Sequence, residues 1–455
     1  MKLTDTLTGT KRDFTPLNNI VTMYVCGPNL YGPCHVGHAL SFIVFDVLKK
    51  YLLYRGYEVN HVQNFTDIED RIIETSNSES RSIKEISEYH IDRFLNEMDA
   101  LRVMRANAYP KATDYINEMI NMIEKLIDKG IAYNLNGDVY YRVERFPNYG
   151  SLSRRSLDEM ESGTRIEVDE RKENPSDFAL WKSSKSGEPA WPSPWGDGRP
   201  GWHIECSAMS ISLLGEQFDI HGGGHDVVFP HHENEIAQSE GFSGKNPVVN
   251  YWLHNGLLRL SEKDTEKMTR HQGNFVSLED AIKEHSIDAL RIFLLSSHYR
   301  SPRIYSTDEI HGIENALSRV RYSLETEYDN NGSILDVSIR QRNFIEAMDD
   351  DLNTPRAIAE IFELSRDINK GIQEGLNVEN GTNLLRELGS ILGLTFENSK
   401  EKDQEVAPFI ELLIELRKTM REKKYFAEAD LIRDKLTELN IQLEDTPDKT
   451  KWKYL

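Results

Sequence analysis

Met23-Tyr24-Val25-Cys26-Gly27-Pro28, followed closely by His35-Val36-Gly37-His38, is the stretch that decides how this chain folds. Residues 20–26 predict a buried strand that breaks into a Gly-Pro turn. Residues 36–54 predict a helix, with Phe42, Phe45, Val47, Leu48 and Leu52 forming a broad apolar side. Residues 57–63 predict a second strand. Strand, turn, helix and strand make a βαβ unit, so an α/β fold with a parallel sheet follows. The two histidines then lie where a strand hands over to a helix N-terminus. Unpaired N–H groups and the positive end of the helix dipole favour anions there. Gly37 lets a flat ring or a phosphate come close to the backbone. Nucleotide binding is the functional reading of these four residues. A helix start that happens to hold two histidines is the alternative, and the four residues alone leave it standing.

The chain has 455 residues, a net charge of −21, 38% hydrophobic and 28% charged residues. That length exceeds one core, so about two to four domains are expected. The composition fits a soluble globular protein. No apolar run reaches membrane-spanning length, so no membrane partner is expected. Met1-Lys2-Leu3-Thr4-Asp5 lacks the apolar stretch of a signal peptide. Three cysteines, Cys26, Cys34 and Cys206, cannot form a disulfide framework. A cytoplasmic location with free or metal-bound thiols is therefore expected. The net charge repels nucleic acid as a whole, so a polyanion partner must be met by local basic patches.

Asn64-Phe65-Thr66-Asp67 follows the second strand at its carboxyl end, where open α/β sheets place ligand contacts. Residues 82–103 and 111–130 have helical periodicity, and residues 138–142 predict a short strand. Residues 150–200 turn polar and rich in Gly and Pro, which predicts an insertion between two halves of one domain. Sheet character returns at Phe218-Asp219-Ile220-His221. A helix over 231–239, a strand near 248–258 and a helix over 287–297 follow. After residue 301 the chain reads as helical over 309–328, 339–349, 355–374 and 383–392. Residues 395–405 are a candidate linker. Residues 408–423 and 427–439 predict a final helix pair, and 441–455 a short hairpin.

His231 and Glu235 stand four apart, one turn apart on a helix face. With Cys26 and Cys206 they would make a reasonable zinc set. A His–Glu pair at that spacing is more often a surface pair, and a separation of 180 residues does not pair the two cysteines. From spacing alone the metal site stays open.

Ordered blocks carry the reading further. They are Tyr24 to Pro28, His35 to His38, Asn64 to Ile68, Gly201-Trp202-His203-Ile204-Glu205-Cys206-Ser207-Ala208-Met209, Asp219 to Gly224, Phe229 to Gln238, Asp351-Leu352-Asn353-Thr354-Pro355-Arg356-Ala357, Ala427 to Asp430 and Leu443 to Pro447. In these blocks, over essentially its whole length, the chain resembles the cysteinyl-tRNA synthetases, class I aminoacyl-tRNA synthetases. The resemblance implies a Rossmann-like catalytic domain whose first half spans 1–115. A connective insertion spans 116–200, and the second half, with the zinc site and signature loop, spans 201–300. A helical bundle over 301–400 and a small anticodon-binding domain over 406–455 complete an all-α C-terminal region.

The resemblance also implies an activity. Cysteine and ATP give cysteinyl-adenylate, and cysteine then moves to the terminal ribose of tRNA(Cys), with Mg(2+) accompanying ATP. One Zn(2+) per chain falls on Cys26, Cys206, His231 and Glu235, with His232 beside it. His35, Gly37 and His38 serve ATP, and Gly27, Thr66, Trp202 and Asp219 serve the amino-acid pocket. The indole of Trp202 would lie over the substrate ammonium. A metal that takes a thiolate as ligand refuses serine, so no editing domain is needed. Asp445 and Trp452 would touch bases of the anticodon loop, with Lys449, Lys451 and Lys453 on phosphates. Arg417, Lys418, Arg421, Lys423 and Lys424 form a basic stretch on the preceding helix. A monomer is expected.

The chain departs from the family at its active site. The second signature reads Lys267-Met268-Thr269-Arg270-His271 where Lys-Met-Ser-Lys-Ser is usual. Lys267 and Arg270 would serve the transferring phosphates, and Arg270 keeps the charge as a planar fork. Asn29, Gly32 and Leu40 replace threonine, aspartate and arginine, and Arg71 stands where lysine is common. Cys34 is an extra thiol. Two other readings fit such changes: a paralogue that ligates cysteine to a small amine, and a non-catalytic tRNA-binding protein.

Overall fold

A computed structural model describes residues 1–156, 171–185, 187–261, 275–397, 399–439, 441–445 and 450–454. The chain opens with an antiparallel pair, β1 (Lys2–Asp5) and β2 (Thr10–Asp13). β3 (Ile20–Val25) runs into the helix Val36–Tyr54 and then β4 (Glu58–Gln63), parallel to β3. Two helices, Asp70–Glu79 and Ile83–Ala100, follow, and then a third, Ile116–Asp128. β5 (Ala132–Leu135), β6 (Asp138–Tyr141), β7 (Phe178–Ser183) and β8 (Gly198–Pro200) form an antiparallel sheet of their own. The helix Trp202–Leu214 leads to β9 (Phe218–Gly224), and the helix Glu233–Ser243 leads to β10 (Val249–Asn255).

The central sheet has the order β10-β9-β3-β4, with all three pairings parallel. β3 hands on to β4 on one side, and β9 to β10 on the other. The order therefore reverses between β3 and β9, which opens a crevice at their carboxyl ends. Cys26, just past β3, lies on that crevice, its N–H donating to the Gly222 carbonyl at 3.0 Å.

Both faces of this sheet are covered, as parallel sheets require. Val21, Met23 and Val25 point to a core that also holds Phe45, Leu48 and Tyr51 of the first helix. Tyr24, one residue out of phase, points to a second core with Met119, Ile204, Ile236 and Trp252. Period-two alternation thus serves two apolar layers at once. Gly222 is required here, since a Cβ would sit 2.2 Å from the Phe45 ring.

The structure revises three expectations about organisation. Residues 116–200 are not wholly an appended insertion: the helix Ile116–Asp128 packs into the second core against the helices Trp202–Leu214 and Glu233–Ser243. The polar stretch after residue 150 contributes β7, which pairs with β6, and β8, which pairs with β7, Trp181 standing opposite Val139 on one side and Pro200 on the other. The helices between 307 and 391 do not form a bundle with its own core. Phe344, Met348, Ile361, Leu364 and Leu388 belong to the same cluster as Val47 and Leu48. Fully buried Arg291 ties that junction together by donating to the Leu101 and Leu392 carbonyls and pairing with Asp46.

The chain divides into two compact units, Met1–Phe396 and Glu397–Leu455. The second contains the helices Ser399–Glu422 and Phe426–Glu438 and the hairpin of β13 (Ile441–Asp445) and β14 (Thr450–Tyr454), here numbered after the short pair β11 (Leu258–Arg259) and β12 (Arg303–Ile304). Its small core holds Ile410, Leu436 and Ile441. No described helix is long and apolar enough to cross a membrane.

Candidate active site at the carboxyl end of the central sheet

A cavity of about 310 Å³ opens at the crevice between β3 and β9. His35, Gly37 and His38 line one part of it, and Cys26, Cys206 and His231 line another.

The part lined by the two histidines is built by a helix cap. His35 is the N-cap residue of the helix Val36–Tyr54, and its ring Nδ1 accepts from the His38 N–H at 3.2 Å. His38 answers in kind, since its Nδ1 accepts from the His35 N–H at 3.4 Å. Two histidines here do the work of the usual capping box, satisfying otherwise orphaned donors. Their rings stack at a centroid distance of 3.6 Å. The backbone beside them is tied to the chain beyond residue 275, as Val36 donates to the Val276 carbonyl and Leu278 to the Cys34 carbonyl. Cys34 itself is buried in the first core, away from the other thiols' donor sets.

At the other end, Cys26 Sγ lies 3.7 Å from Cys206 Sγ and 3.7 Å from Glu235 Oε1. His231 Nε2 lies 3.1 Å from the same Glu235 oxygen. These four residues, all but Cys26 fully buried, can place their ligand atoms within 4.8 Å of one another. Thiolate, thiolate, imidazole and carboxylate suit zinc. The donor set therefore fits the metal expected there. The ligand atoms of Cys26, Glu235, His221 and His232 also lie within 4.8 Å of one another, so two donor sets share two members. The expected helix over 231–239 begins instead at Glu233. The segment Val228–His232 leads into it, and His231 and Glu235 straddle the join.

Electrostatics in this pocket follow burial. Burial pushes the Glu235 carboxyl well above its ordinary range. It also pushes Cys26 up, reinforced by its hydrogen bond with Cys206. Burial opposes ionisation of Cys206 too, but the bond from Cys26 and the nearby His231 bring this thiol down to about 7. Burial, with neighbouring histidines, holds His203, His221 and His232 well below the usual imidazole value. Such a cluster of desolvated, mutually perturbed groups in a cleft marks a functional site.

Several expected pocket residues come together. Gly27 donates its N–H to Asn64 Oδ1 at 2.9 Å, and a Cβ on it would meet the Asn64 carbonyl oxygen at 1.7 Å. Thr66 is buried and donates to Glu205 Oε2 at 3.1 Å. Trp202 lines the cavity half exposed, its ring 4.3 Å from that of His231. Among the departures from the family pattern, Asn29, Gly32 and Arg71 also line the cavity, whereas Leu40 is packed in the first core.

Asp219 does not belong to the site. Its carboxylate accepts from the N–H groups of Leu17 (2.6 Å) and Thr22 (2.8 Å), near the amino end of β3. It sits second in β9, so the strand's rise carries it to the opposite end of the sheet from the crevice. His232, expected beside the metal, is more tightly engaged than that. Its Nε2 lies 3.1 Å from Cys26 Sγ and its Nδ1 2.8 Å from His254 Nε2. Sequence reasoning missed Glu205 and His203 as neighbours of these residues, whereas the crowding of His221, His225, His231, His232 and His254 along the chain does point to His254. Glu205 is one residue from Cys206 on a helix, and only the packing turns its buried carboxyl toward Thr66.

Lys267 and Arg270 lie outside the described residues. The side chain of Asp445 also lies outside them, its backbone being in β13. Trp452 is described, and it is not an exposed indole. It packs half-buried against the small core of its unit and pairs with Leu443 across the hairpin. Arg417 is buried as well, and the helix carrying it ends at Glu422, short of Lys423 and Lys424.

Comparison with known proteins agrees with this architecture. The family described as "tRNA synthetases class I (C) catalytic domain" matches residues 14–315, and the DALR domain matches residues 343–397. A cysteine-tRNA ligase from Dehalococcoides mccartyi is 49% identical over 458 aligned positions, covering 100% of this chain and 99% of the relative. One from Thermotoga maritima is 43% identical, covering 99% of each. Among solved structures, Mycobacterium tuberculosis methionyl-tRNA synthetase with methionyl-adenylate superposes with a TM-score of 0.57 at 14% identity. That match covers 82% of this chain and 89% of the other, and it speaks for the fold alone. Parallel sheet, crevice and full-length identity converge: the chain belongs to the cysteine-tRNA ligase family of class I aminoacyl-tRNA synthetases.

Proposed function

We propose that this protein is a cysteine-tRNA ligase. It joins cysteine to ATP, giving cysteinyl-adenylate and pyrophosphate, and then transfers the cysteinyl group to the terminal ribose of tRNA(Cys). One observation carries the reading. A single cavity is lined by His35 and His38 of a capped helix N-terminus and by Cys26, Cys206 and His231, whose donor atoms converge with that of Glu235.

The cysteine carboxylate attacks the α-phosphorus, and pyrophosphate leaves. His35, His38 and the first N–H groups of their helix offset charge on the phosphates, while Gly37 leaves room for the adenine. Mg(2+) accompanies ATP. Zinc, one per chain on Cys26, Cys206, His231 and Glu235, supplies a Lewis acid that accepts a thiolate in preference to a hydroxyl. Thr66 and Gly27 shape the amino-acid pocket, and the Trp202 indole lies open for the substrate ammonium. Lys267 and Arg270 act on the leaving phosphates, and Asp445 and Trp452 belong to the unit that reads the anticodon loop. The protein works as a cytoplasmic monomer.

The test is pyrophosphate exchange driven by cysteine, with and without tRNA, alongside charging of tRNA(Cys). Exchange without tRNA and charging with it are expected. Exchange that never leads to charged tRNA would instead favour a ligase for a small amine. Neither exchange nor charging would leave only a binding protein. Within the same assay, Arg270→Ala should cost about 2–4 kcal/mol in adenylate formation, the scale of one donor at a developing charge. Arg270→Lys should keep most activity. An unchanged exchange rate in Arg270→Ala would remove this residue from the chemistry.

A further inference from the structure

Two overlapping donor sets meet at Cys26 and Glu235, one completed by Cys206 and His231, the other by His221 and His232. Something must decide between them, since a metal at Cys26 has both within reach. The deciding element lies outside either set. Thr6, just beyond β1, has its Oγ1 2.9 Å from His254 Nδ1. His254 Nε2 is 2.8 Å from His232 Nδ1, and His232 Nε2 is 3.1 Å from Cys26 Sγ. Both rings are buried, at 4% and 0% exposure.

The order of protons along this chain follows from its end. A cysteine that holds a metal is a thiolate, and toward a neighbouring ring it acts as an acceptor. His232 Nε2 must then carry the proton and donate. A neutral ring has one proton, so His232 Nδ1 accepts, and His254 Nε2 donates to it. His254 Nδ1 is left as an acceptor, and the hydroxyl of Thr6 is the donor that meets it. In this order the lone pair of His232 Nε2 is replaced by an N–H bond, and that nitrogen cannot ligate a metal.

We infer that Thr6, acting through His254 and His232, is a positioning residue that commits the metal to the Cys26–Cys206–His231–Glu235 set by keeping His232 a hydrogen-bond donor. The inference rests on the reading of Cys26 as a metal ligand under the proposed function. Without the Thr6 hydroxyl, His254 Nδ1 faces no donor, and the proton order is held from the Cys26 end alone. The reverse order turns a lone pair of His232 toward the metal and brings the second set into competition. Partners of this kind around metal ligands are worth about 10- to 100-fold in metal affinity.

The test uses the full chain carrying Co(2+) in place of zinc. Thr6→Val keeps the shape and the Thr6 N–H, which donates to the Trp252 carbonyl at 2.8 Å, and removes only the hydroxyl. Thiolate-to-cobalt charge-transfer absorption should fall to about half in Thr6→Val, as one of two thiolates is replaced by nitrogen. X-ray absorption at the zinc edge should show the same exchange, with zinc affinity about 10- to 100-fold weaker. Thr6→Ser, which keeps the hydroxyl and loses the methyl, should match the unmodified protein in both. Unchanged sulfur ligation and affinity in Thr6→Val would overturn the inference, as would equal losses in Thr6→Val and Thr6→Ser. If the unmodified protein bound no metal, or bound it through one sulfur, the ligand assignment itself would fall instead.

Discussion

Cys206→Ser should lose zinc and, with it, most of its affinity for cysteine, while ATP binding stays close to that of the unmodified protein. Cys206 is buried on the helix Trp202–Leu214, 3.7 Å from Cys26, and is the thiol that its neighbours bring down to about 7. A thiolate, not a thiol, is the metal ligand, so this lowering suits Cys206 to the role. A serine hydroxyl fills nearly the same space but is a poor zinc ligand at neutral pH. Loss of a direct ligand should exceed the loss from a supporting partner, so zinc affinity should fall by more than about 100-fold. The ATP groups are proposed to sit at the helix that His35 caps, and no ligand of the metal set belongs to that cap. Metal analysis after dialysis, with separate equilibrium titrations of cysteine and ATP, reads all three quantities. Thermal unfolding checks that the helix survives the exchange. A Cys206→Ser protein with full zinc occupancy would remove Cys206 from the site. Parallel losses for cysteine and ATP would mean that the cavity does not divide its labour as proposed.

Removal of residues 397–455 should separate the two half-reactions. Met1–Phe396 is a compact unit containing both apolar layers, the cavity and the donor sets. Cysteine-dependent pyrophosphate exchange should persist in it near the full-length rate. Charging of tRNA(Cys) should fall, since the unit proposed to read the anticodon loop is gone. One base stacked on an aromatic side chain is worth about 1–3 kcal/mol. With phosphate contacts added, a loss of kcat/KM for tRNA of at least about 100-fold is expected. Circular dichroism and a cooperative thermal transition establish that the shortened chain is folded. A folded chain that charges tRNA at the full-length rate would end the assignment of a reading role to this unit. The half-buried position of Trp452 sharpens the experiment. Trp452→Ala in the full chain removes a hairpin contact with Leu443 as well as any base contact. Trp452→Phe keeps most of the packing and is the better comparison.

The βαβ start was legible because its signals are local. The strand over 20–26 and the helix over 36–54 appear at Ile20–Val25 and Val36–Tyr54. Gly27-Pro28 breaks the strand, and the His35 cap starts the helix. Much of the zinc set was named from donor chemistry and family resemblance, and those four side chains do converge. The polar stretch after residue 150 was harder. Its strands β7 and β8 are short, and their stability comes from pairing, β7 with β6 and β8 with β7, rather than from their own alternation.

Residue types and spacing determined the parallel sheet and the helix that begins after His35. These depend on backbone preferences and on periodicity, which neighbouring residues set. Tertiary structure alone decided the rest. It drew Cys26 and Cys206 together across 180 residues, because β3 and the helix Trp202–Leu214 pack against the same core. It placed Asp219 at the far end of β9 from the crevice, bound to Thr22, since a strand carries successive residues along its length and not toward one point. It merged the helices after residue 307 into the catalytic core, because their apolar faces meet the first helix and leave no second interior to fill. It also drew Thr6 to His254 and His232, a line of contacts between β1, β10 and the metal set that no spacing along the chain encodes.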